Sequence, residues 1–533
     1  MRETYPGHRG ARMKLTDLVF TNRFTNQLSA DPLSENHVRP VKAAYSRVLP
    51  TPVRRPSLLA WSADAAKLLG LSSEQDQTDW AALFSGNRQL PGMDPFAACY
   101  GGHQFGHWAG QLGDGRAITL GEVKTETAEH WEIQLKGAGP TPYSRHADGR
   151  AVLRSSLREF VCSEAMHHLR IPTTRALCLV GTGETVVRDM FYDGHPEAEP
   201  GAIVTRMAPS FLRFGNFELP AARRDRVLLK ALADFTLTHY YPDVGEPGAP
   251  AYLALFKAIQ ARTLALIVDW MRVGFVHGVM NTDNLSILGL TLDYGPYGWL
   301  DDFNPAFTPN TSDRDGRYCY ANQPHCALWN LACLANALAP LVGDVTPLNE
   351  ELQAFQARYE SAYQAMMLGK LGFSGALEGG SGLVSALQSN LADSEADMTL
   401  TFRALAKLEL DCERQPSFAD LPEGLFYTAV SPELQKRWTD WCQHYQQVVR
   451  QAGVSDSERR VRMNAVNPAL IPRNYLVYRV IEALEAGDNQ PLSRLMAALQ
   501  NPYDENPDAA DLRAPRPDWA RQVAGCSALS CSS

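Results

Sequence analysis

Four aspartates and no lysine or arginine fall between His277 and Asp302, in the segment HGVMNTDNLSILGLTLDYGPYGWLDD. Asp283 and Asn284 are adjacent, and Asp293 follows nine residues after Asn284, across the strand-like run LSILGLTL. Hard oxygen donors without a local counter-charge suit a divalent cation such as Mg²⁺, above all one shared with phosphate oxygens. Asp and Asn also occur as plain turn formers around hairpins. A turn alone, however, does not require an acidic residue at both ends of one hairpin.

A second group of residues is cationic. Arg116 follows Gly113-Asp114-Gly115, Lys136 closes the run HWEIQLK, and Arg206 and Arg213 flank MAPSFL. A strand lysine beside a glycine-rich turn is equipment for a polyphosphate: main-chain N–H groups approach where Cβ is absent, and fixed cations neutralise the oxygens. Residues 100–215 carry 12 Lys or Arg against 13 Asp or Glu. The argument therefore rests on placement and not on a basic patch. Glu159, on a predicted helix, is suited to orient Lys136 as an ion pair, and a solvated helix face is the alternative reading. Arg145, Arg150, Arg154 and Arg158 lie nearby in sequence with open roles. His103 and His107, four apart in GGHQFGHWAG, have the spacing of two zinc ligands but no third ligand in sequence, so structural histidines are the preferred reading. Cys319, Cys326 and Cys333 recur every seven residues, which marks one side of a helix and its entry.

The elements that must position these groups follow from hydrophobic period. AITLGEV (117–123) and HWEIQLK (130–136) alternate with period two around the polar turn KTETAE and predict an antiparallel hairpin. Leu153, Leu157, Phe160, Val161 and Leu169 fall at helical spacing; strand-like runs follow at 175–180, 184–190 and 201–207. Helical patterns then dominate, at 224–240, 251–272, 327–339, 348–368, 433–451 and 474–486. GFSGALEGGSG (372–382) reads as a flexible connector and 502–518 as an extended tail segment. The expected organisation is an N-terminal extension packing on the core (1–95), a sheet-bearing nucleotide lobe (96–220), a lobe with catalytic and metal loops (221–345), and a helical C-terminal region with its tail (346–533).

The whole chain has 533 residues, 45% hydrophobic and 20% charged, with a net charge of −9. Such an acidic balance argues against a nucleic-acid coat, which needs a basic stripe to displace counterions from phosphates. Ten scattered cysteines without a CxxC pair suit a reducing, cytoplasmic compartment. The first 20 residues lack an apolar leader core and read as a frayed extension, with Met13 an alternative start. The apolar stretch 327–343 is short for a membrane span and contains Asn330, Asn336 and Pro340, so no membrane span is expected.

GGHQFGHWAGQLGDGRAITLGE (101–122), LKGAGPTPYSR (135–145), DGRAVLRSSLREF (148–160), TRMAPSFLRFGNFE (205–218), the 277–305 segment and the closing Cys531-Ser-Ser resemble the selenoprotein O family, over nearly the whole chain. The resemblance implies an α+β, protein-kinase-like bilobal fold with an N-terminal extension and a large helical C-terminal region. It also implies a protein adenylyltransferase that binds ATP in reverse orientation and transfers AMP to Ser, Thr or Tyr hydroxyls of protein substrates with Mg²⁺ or Mn²⁺. UMP transfer with manganese is a further implied activity; a kinase-like phosphotransferase or an ATP-binding scaffold without turnover are the alternatives. By position, Lys136 resembles the phosphate-contacting strand lysine and Glu159 its partner. Gly113, Gly115 and Arg116 resemble the glycine-rich element, Asp148 and Gly149 a nucleotide-contacting turn, and Arg206 and Arg213 the pocket arginines. Asp283 resembles the general base, and Asn284 with Asp293 the metal pair. A monomer without nucleic-acid or membrane partners is expected. In relatives the position of Cys531 is a redox centre, paired in bacterial members with a cysteine of the activation segment; here that segment has Pro309 at the expected place, leaving Cys319, Cys326 and Cys526 as substitutes.

Overall fold

The computed structural model describes residues 13–72, 76–191, 193–375, 377–521, 523–526 and 528–530. Its strands in chain order are β1 (Tyr45–Arg47), β2 (Ser57–Trp61), β3 (Phe96–Ala98), β4 (Gly101–Gln104), β5 (His107–Gln111), β6 (Ala117–Lys124), β7 (His130–Lys136), β8 (Arg175–Arg188) and β9 (Glu197–Ala208), followed by the two-residue β10 (Phe275–Val276) and β11 (Gly298–Trp299). Among the described residues seven of them form one sheet in the order β1-β3-β6-β7-β9-β8-β2, antiparallel throughout. The predicted β6–β7 hairpin is present and places Lys136 opposite Ala117.

Alternation along the strands explains why the sheet is buried on both faces. Val180 and Ile203 point to a cluster with Trp80, Phe84 and Leu135, while their neighbours Leu179 and Val204 point to a cluster with Leu157 and Phe160. The helix Leu153–His168 covers this second face. Burying each such Leu or Phe contributes about 1.5–3 kcal/mol.

Two readings of the sheet need correction. Residues 45–61, expected in an extension packed on the core, supply both edge strands, β1 and β2. The runs 175–180 and 184–190 are one strand, β8, with a register shift between Gly181 and Thr185 against β9. A bulge breaks the period-two pattern, which is why the sequence reads as two strands.

Helices fill the rest, beginning with Phe214–Ala222, Arg226–Tyr240, Ala249–Val273 and Gln323–Val342. Asp225 caps the second by accepting from the Leu228 N–H, and Gly274, at φ +75°, ends the third in a left-handed turn. The stretch 372–382 is not all connector, because a helix Gly380–Asp393 starts inside it. Helix Ala249–Val273 and the stretch Tyr320–Val342 are long and apolar enough to cross a membrane by length and composition. Half or more of each apolar window is buried inside the protein, as in core helices.

The last helices turn back to the sheet. Tyr475, Leu476, Val480 and Ile481 of Asn474–Glu485, with Leu492 and Leu495 of Gln490–Leu499, pack against Leu153, Leu157 and Val161. Arg473, just before this pair, is buried between Asp301 at 2.7 Å and Asp397 at 2.9 Å. Arg516 pairs with Asp302 at 3.0 Å. The fold thus supplies Asp301 and Asp302 with the counter-charges their own segment lacks.

Candidate functional site

Lys136 ends β7 at the floor of a cleft of about 700 Å³. Its Nζ lies 2.6 Å from Glu159 Oε2 and also donates to Asp293 Oδ1. Glu159 sits on Leu153–His168 and is buried, so the solvated-face alternative does not hold. Arg206, on β9 beside β7, joins the same set, 2.9 Å from Glu159 Oε1 and 3.0 Å from Asp293 Oδ1, and donates to Gln134. Two cations and two carboxylates therefore form one neutral set, buried at Glu159 and Arg206 and open to the cleft at Asp293. Burial opposes ionisation of Asp293, but Lys136 and Arg206 hold its carboxyl well below the usual range.

The acidic segment is folded differently from the strand-like reading. Residues 285–292 form no strand; a single antiparallel bridge, Leu285 to Thr291, closes them into a tight loop. Closure brings both ends, Asp283-Asn284 and Asp293, into the lining of one cleft. Asp283 and Asn284 occupy a short 3₁₀ turn, Thr282–Asn284. The Asn284 side-chain amide donates to the Val279 carbonyl at 2.9 Å, which leaves its Oδ1 without a donor among the described residues. Asp293 likewise gives Oδ1 to the cations, while its Oδ2 has no protein donor among the described residues. Two unengaged hard oxygens in the lining of one cleft fit a divalent cation. Burial pushes the Asp283 carboxyl up to about 6, against the pull of Arg213 and Gln104. It also pushes His277 down to about 4, so that imidazole is neutral.

Arg213 is buried and serves the turn: its guanidinium donates to the main-chain carbonyl of Asp283 at 2.9 Å, lies 3.7 Å from Asp114 and stacks 4.4 Å over the Tyr100 ring. Gly113, Gly115 and Arg116 line the cleft mouth with Asp148 and Gly149. Gly149 has φ +69°, and a Cβ there would sit 2.1 Å from the Gly139 carbonyl oxygen, so no other residue fits. Asp148 is held below its usual range despite partial burial because Arg188 pairs with it at 2.6 Å. Arg154 pairs with Glu199 at 2.9 Å and Arg158 is buried over the Tyr297 ring, so both are structural; Arg145 and Arg150 line the cleft.

Sequence reasoning missed Gln104, Asp114 and Glu218. Gln104 donates to Asp283 at 3.2 Å, and Asp114 accepts from the Ala98 N–H at 3.0 Å and the Tyr100 hydroxyl at 3.2 Å. The signal for Asp114 was its place between two glycines; nothing in spacing marks the other two. His103 pairs with Glu218 at 2.5 Å, whereas His107 is exposed on β5. Cys333 completes a cluster whose ligand atoms lie within 4.8 Å of one another. Two ligands of one tetrahedral zinc stand about 3.3 Å apart, so the direct His103–Glu218 hydrogen bond is the structural histidine of the preferred reading.

Cys526 is buried, with its thiol pushed up to about 11 by burial, and Cys319 is half-buried at the entry to helix Gln323–Val342. Cys531 lies outside the described residues. The tail before it runs beside the activation segment: the Leu529 N–H donates to the Pro309 carbonyl at 2.8 Å, and the Thr311 N–H to the Leu529 carbonyl at 2.7 Å.

Fixed cations bonded beside unengaged hard oxygens in the lining of one cleft define an enzyme class, the transferases that work on nucleoside phosphates. Comparison with known proteins narrows the class. The chain belongs to the family described as protein adenylyltransferase SelO, whose sequence profile matches residues 33–500. It is 53% identical over 526 residues to protein nucleotidyltransferase YdiU of Aromatoleum aromaticum, covering 97% of this chain and all of the relative. It is 54% identical over 519 residues to the protein of the same name from Azoarcus sp., and 52% over 538 residues to that from Rhodopirellula baltica; each covers 97% of this chain and 99% of the relative. The protein is a nucleotidyltransferase, and its antiparallel sheet and large helical C-terminal region are in keeping with the family resemblance.

Proposed function

We propose that the protein transfers AMP from ATP to a Ser, Thr or Tyr hydroxyl of a protein substrate, with release of pyrophosphate. The observation that carries this is the shared cleft, in which Lys136 and Arg206, both paired with Glu159, converge on Asp293 while Asp283 and Asn284 stand on the adjoining turn.

In this reading the acceptor hydroxyl lies against Asp283, which takes its proton as the oxygen attacks the α-phosphorus. The bond from that phosphorus to the bridging oxygen breaks, and pyrophosphate leaves. Lys136 and Arg116 face the phosphate oxygens, and Glu159 keeps Lys136 aimed. Arg206 orients Asp293, and Arg213 holds the main chain of Asp283. Gly113, Gly115, Asp148 and Gly149 shape the mouth that takes the nucleotide. Asn284 and Asp293 would hold Mg²⁺ or Mn²⁺, which when bound stabilises charge on the phosphate oxygens. UMP transfer with manganese belongs to the same proposal, since these contacts address phosphate rather than base.

The architecture that goes with this reading is kinase-like and bilobal. Residues 96–220 form the nucleotide lobe, 221–345 the catalytic and metal lobe, 1–95 an extension that contributes sheet edges, and 346–533 the helical brace and tail. The enzyme acts as a cytoplasmic monomer on proteins, not on nucleic acid or membranes. ATP labelled at the α or the γ position tests the reaction. Label passes to protein from the α position in the wild type, and from neither in Asp293→Ala, which keeps its fold by circular dichroism. Transfer from the γ position alone establishes a kinase instead, and full activity of Asp293→Ala refutes the metal assignment.

A further inference from the structure

Strand β4 belongs to no part of the main sheet; with β5 it forms a separate hairpin lying across the Thr282–Asn284 turn. Each residue of the strand beyond Gly101 meets that turn or what supports it. Gly102 backs onto Asp283 so closely that a Cβ there would stand 3.0 Å from both Cβ and Oδ1 of the aspartate. The His103 N–H donates to the Thr282 hydroxyl at 2.7 Å. Gln104 Nε2 donates to Asp283 Oδ2 at 3.2 Å. The following Phe105 N–H donates to Asn281 Oδ1 at 3.2 Å and to the Tyr318 hydroxyl at 2.9 Å.

Alternate residues of a strand face the same side, so Gly102 and Gln104 address Asp283 together while His103 points the other way, into Glu218 and between the rings of Trp108 and Trp329. The Asp283 carboxylate has little else to hold it. Arg213 bonds its main-chain carbonyl, not the carboxylate. Among the described residues Oδ1 is buried without a hydrogen-bond donor and Gln104 is the one side-chain donor to Oδ2. Gln104 and Asp283 both line the cleft.

We propose that β4 is a clamp for the catalytic aspartate, with Gln104 as its positioning residue. Gly102 closes the back of the carboxylate, and the Gln104 amide fixes the rotation of Asp283 so that the second lone pair of Oδ2 faces the acceptor hydroxyl. The His103–Glu218 pair anchors the opposite face of the strand, so that β4 is held while it holds the base. This rests on the reading of Asp283 as general base. A hydrogen bond to a charged group, when lost from a buried site, costs roughly a factor of 10–100 in the step that depends on it.

The test compares Gln104→Met, of similar shape but without a donor, with Gln104→His, which keeps an N–H, and with Asp283→Ala, in α-labelled AMP transfer. Thermal melting confirms that each is folded. Gln104→Met is expected to lower kcat roughly 10–100-fold with KM for ATP unchanged. Gln104→His recovers part of the rate, and Gln104→Met costs nothing further in the Asp283→Ala background, because both changes act on one group. If Asp283→Ala is inactive but Gln104→Met turns over like the wild type, the clamp is refuted and the base assignment stands. If Asp283→Ala is fully active, the base assignment itself fails. A loss in Gln104→Met confined to KM, or one additive with Asp283→Ala, assigns Gln104 to nucleotide binding and overturns the proposal. Should Gln104→Met not fold, Gly102→Ala replaces it, with the same split between kcat and KM expected from pressure on Asp283.

Discussion

Replacing Glu159 by Gln keeps the shape of the side chain and removes one charge from the set Lys136, Arg206, Glu159 and Asp293. In the wild type the two carboxylates balance the two cations, and Asp293 spends a single oxygen on both of them. Without the charge on Glu159, its contacts to Lys136 at 2.6 Å and Arg206 at 2.9 Å become contacts to a neutral amide. One end of that amide is itself a donor and must face a cation. Both cations are then drawn further onto Asp293, and Lys136 loses the partner that aims it at phosphate. Glu159 and Arg206 are buried and Lys136 nearly so, while Asp293 is a quarter exposed at the cleft, so solvent softens the change only at that end. Breaking a buried pair on one side costs about 3–5 kcal/mol, and about 3 kcal/mol in the transition state is a loss of roughly two orders of magnitude in kcat/KM. Initial rates of AMP transfer from α-labelled ATP at saturating divalent metal measure it, with a melting curve to confirm folding. Activity within about threefold of the wild type would refute the claim that Glu159 orients the lysine.

Two further outcomes follow from buried charges away from the cleft. Arg473→Met strands Asp301 and Asp397 without their shared cation and is expected to cost about 3–5 kcal/mol, read as a lowered denaturation midpoint; an unchanged midpoint would show that Arg516 and the hydroxyl of Tyr427 suffice. Glu132 is buried on β7, and burial raises its carboxyl from 4.5 to about 8. The folded state therefore keeps a proton that the unfolded chain releases, so this residue's contribution to stability falls as pH rises from about 4.5 to 8, by up to about 1.4 kcal/mol per unit. Glu132→Gln, neutral at every pH, should be more stable than the wild type at pH 8 and level with it near pH 5 by urea denaturation; parallel pH curves would contradict this.

Lys136, Glu159 and the two ends of the 283–293 loop were legible in the sequence because each is announced locally, by a strand end, a helical period or a cluster of like charges. The clamp strand was not. Its hairpin turns at Phe105-Gly106, both at positive φ, and Phe is not a residue that signals such a turn. The flanking strands are short and rich in glycine, so no alternation survives to mark them. The counter-charges Arg473 and Arg516 were hidden for another reason: they pair with Asp301 and Asp302 from more than a hundred residues away, and no local spacing carries that information. The edge strands β1 and β2 were obscured by the proline-rich text around them, which reads as wrapping and yet feeds two short extended runs into the sheet.

The return of the last helices onto Leu153–His168 also sets a schedule for the growing chain. Lys136 and Glu159 leave the ribosome early, but the apolar face of Leu157 and Val161 waits for Tyr475, Val480 and Ile481. That is roughly 300 residues later, on the order of 15–60 s at 5–20 residues per second. A chain grown past Asp293 but not yet to residue 474 thus has the charged residues of the cleft but lacks the helices that pack behind Leu153–His168, and a nonsense mutation in that interval yields a product without that support.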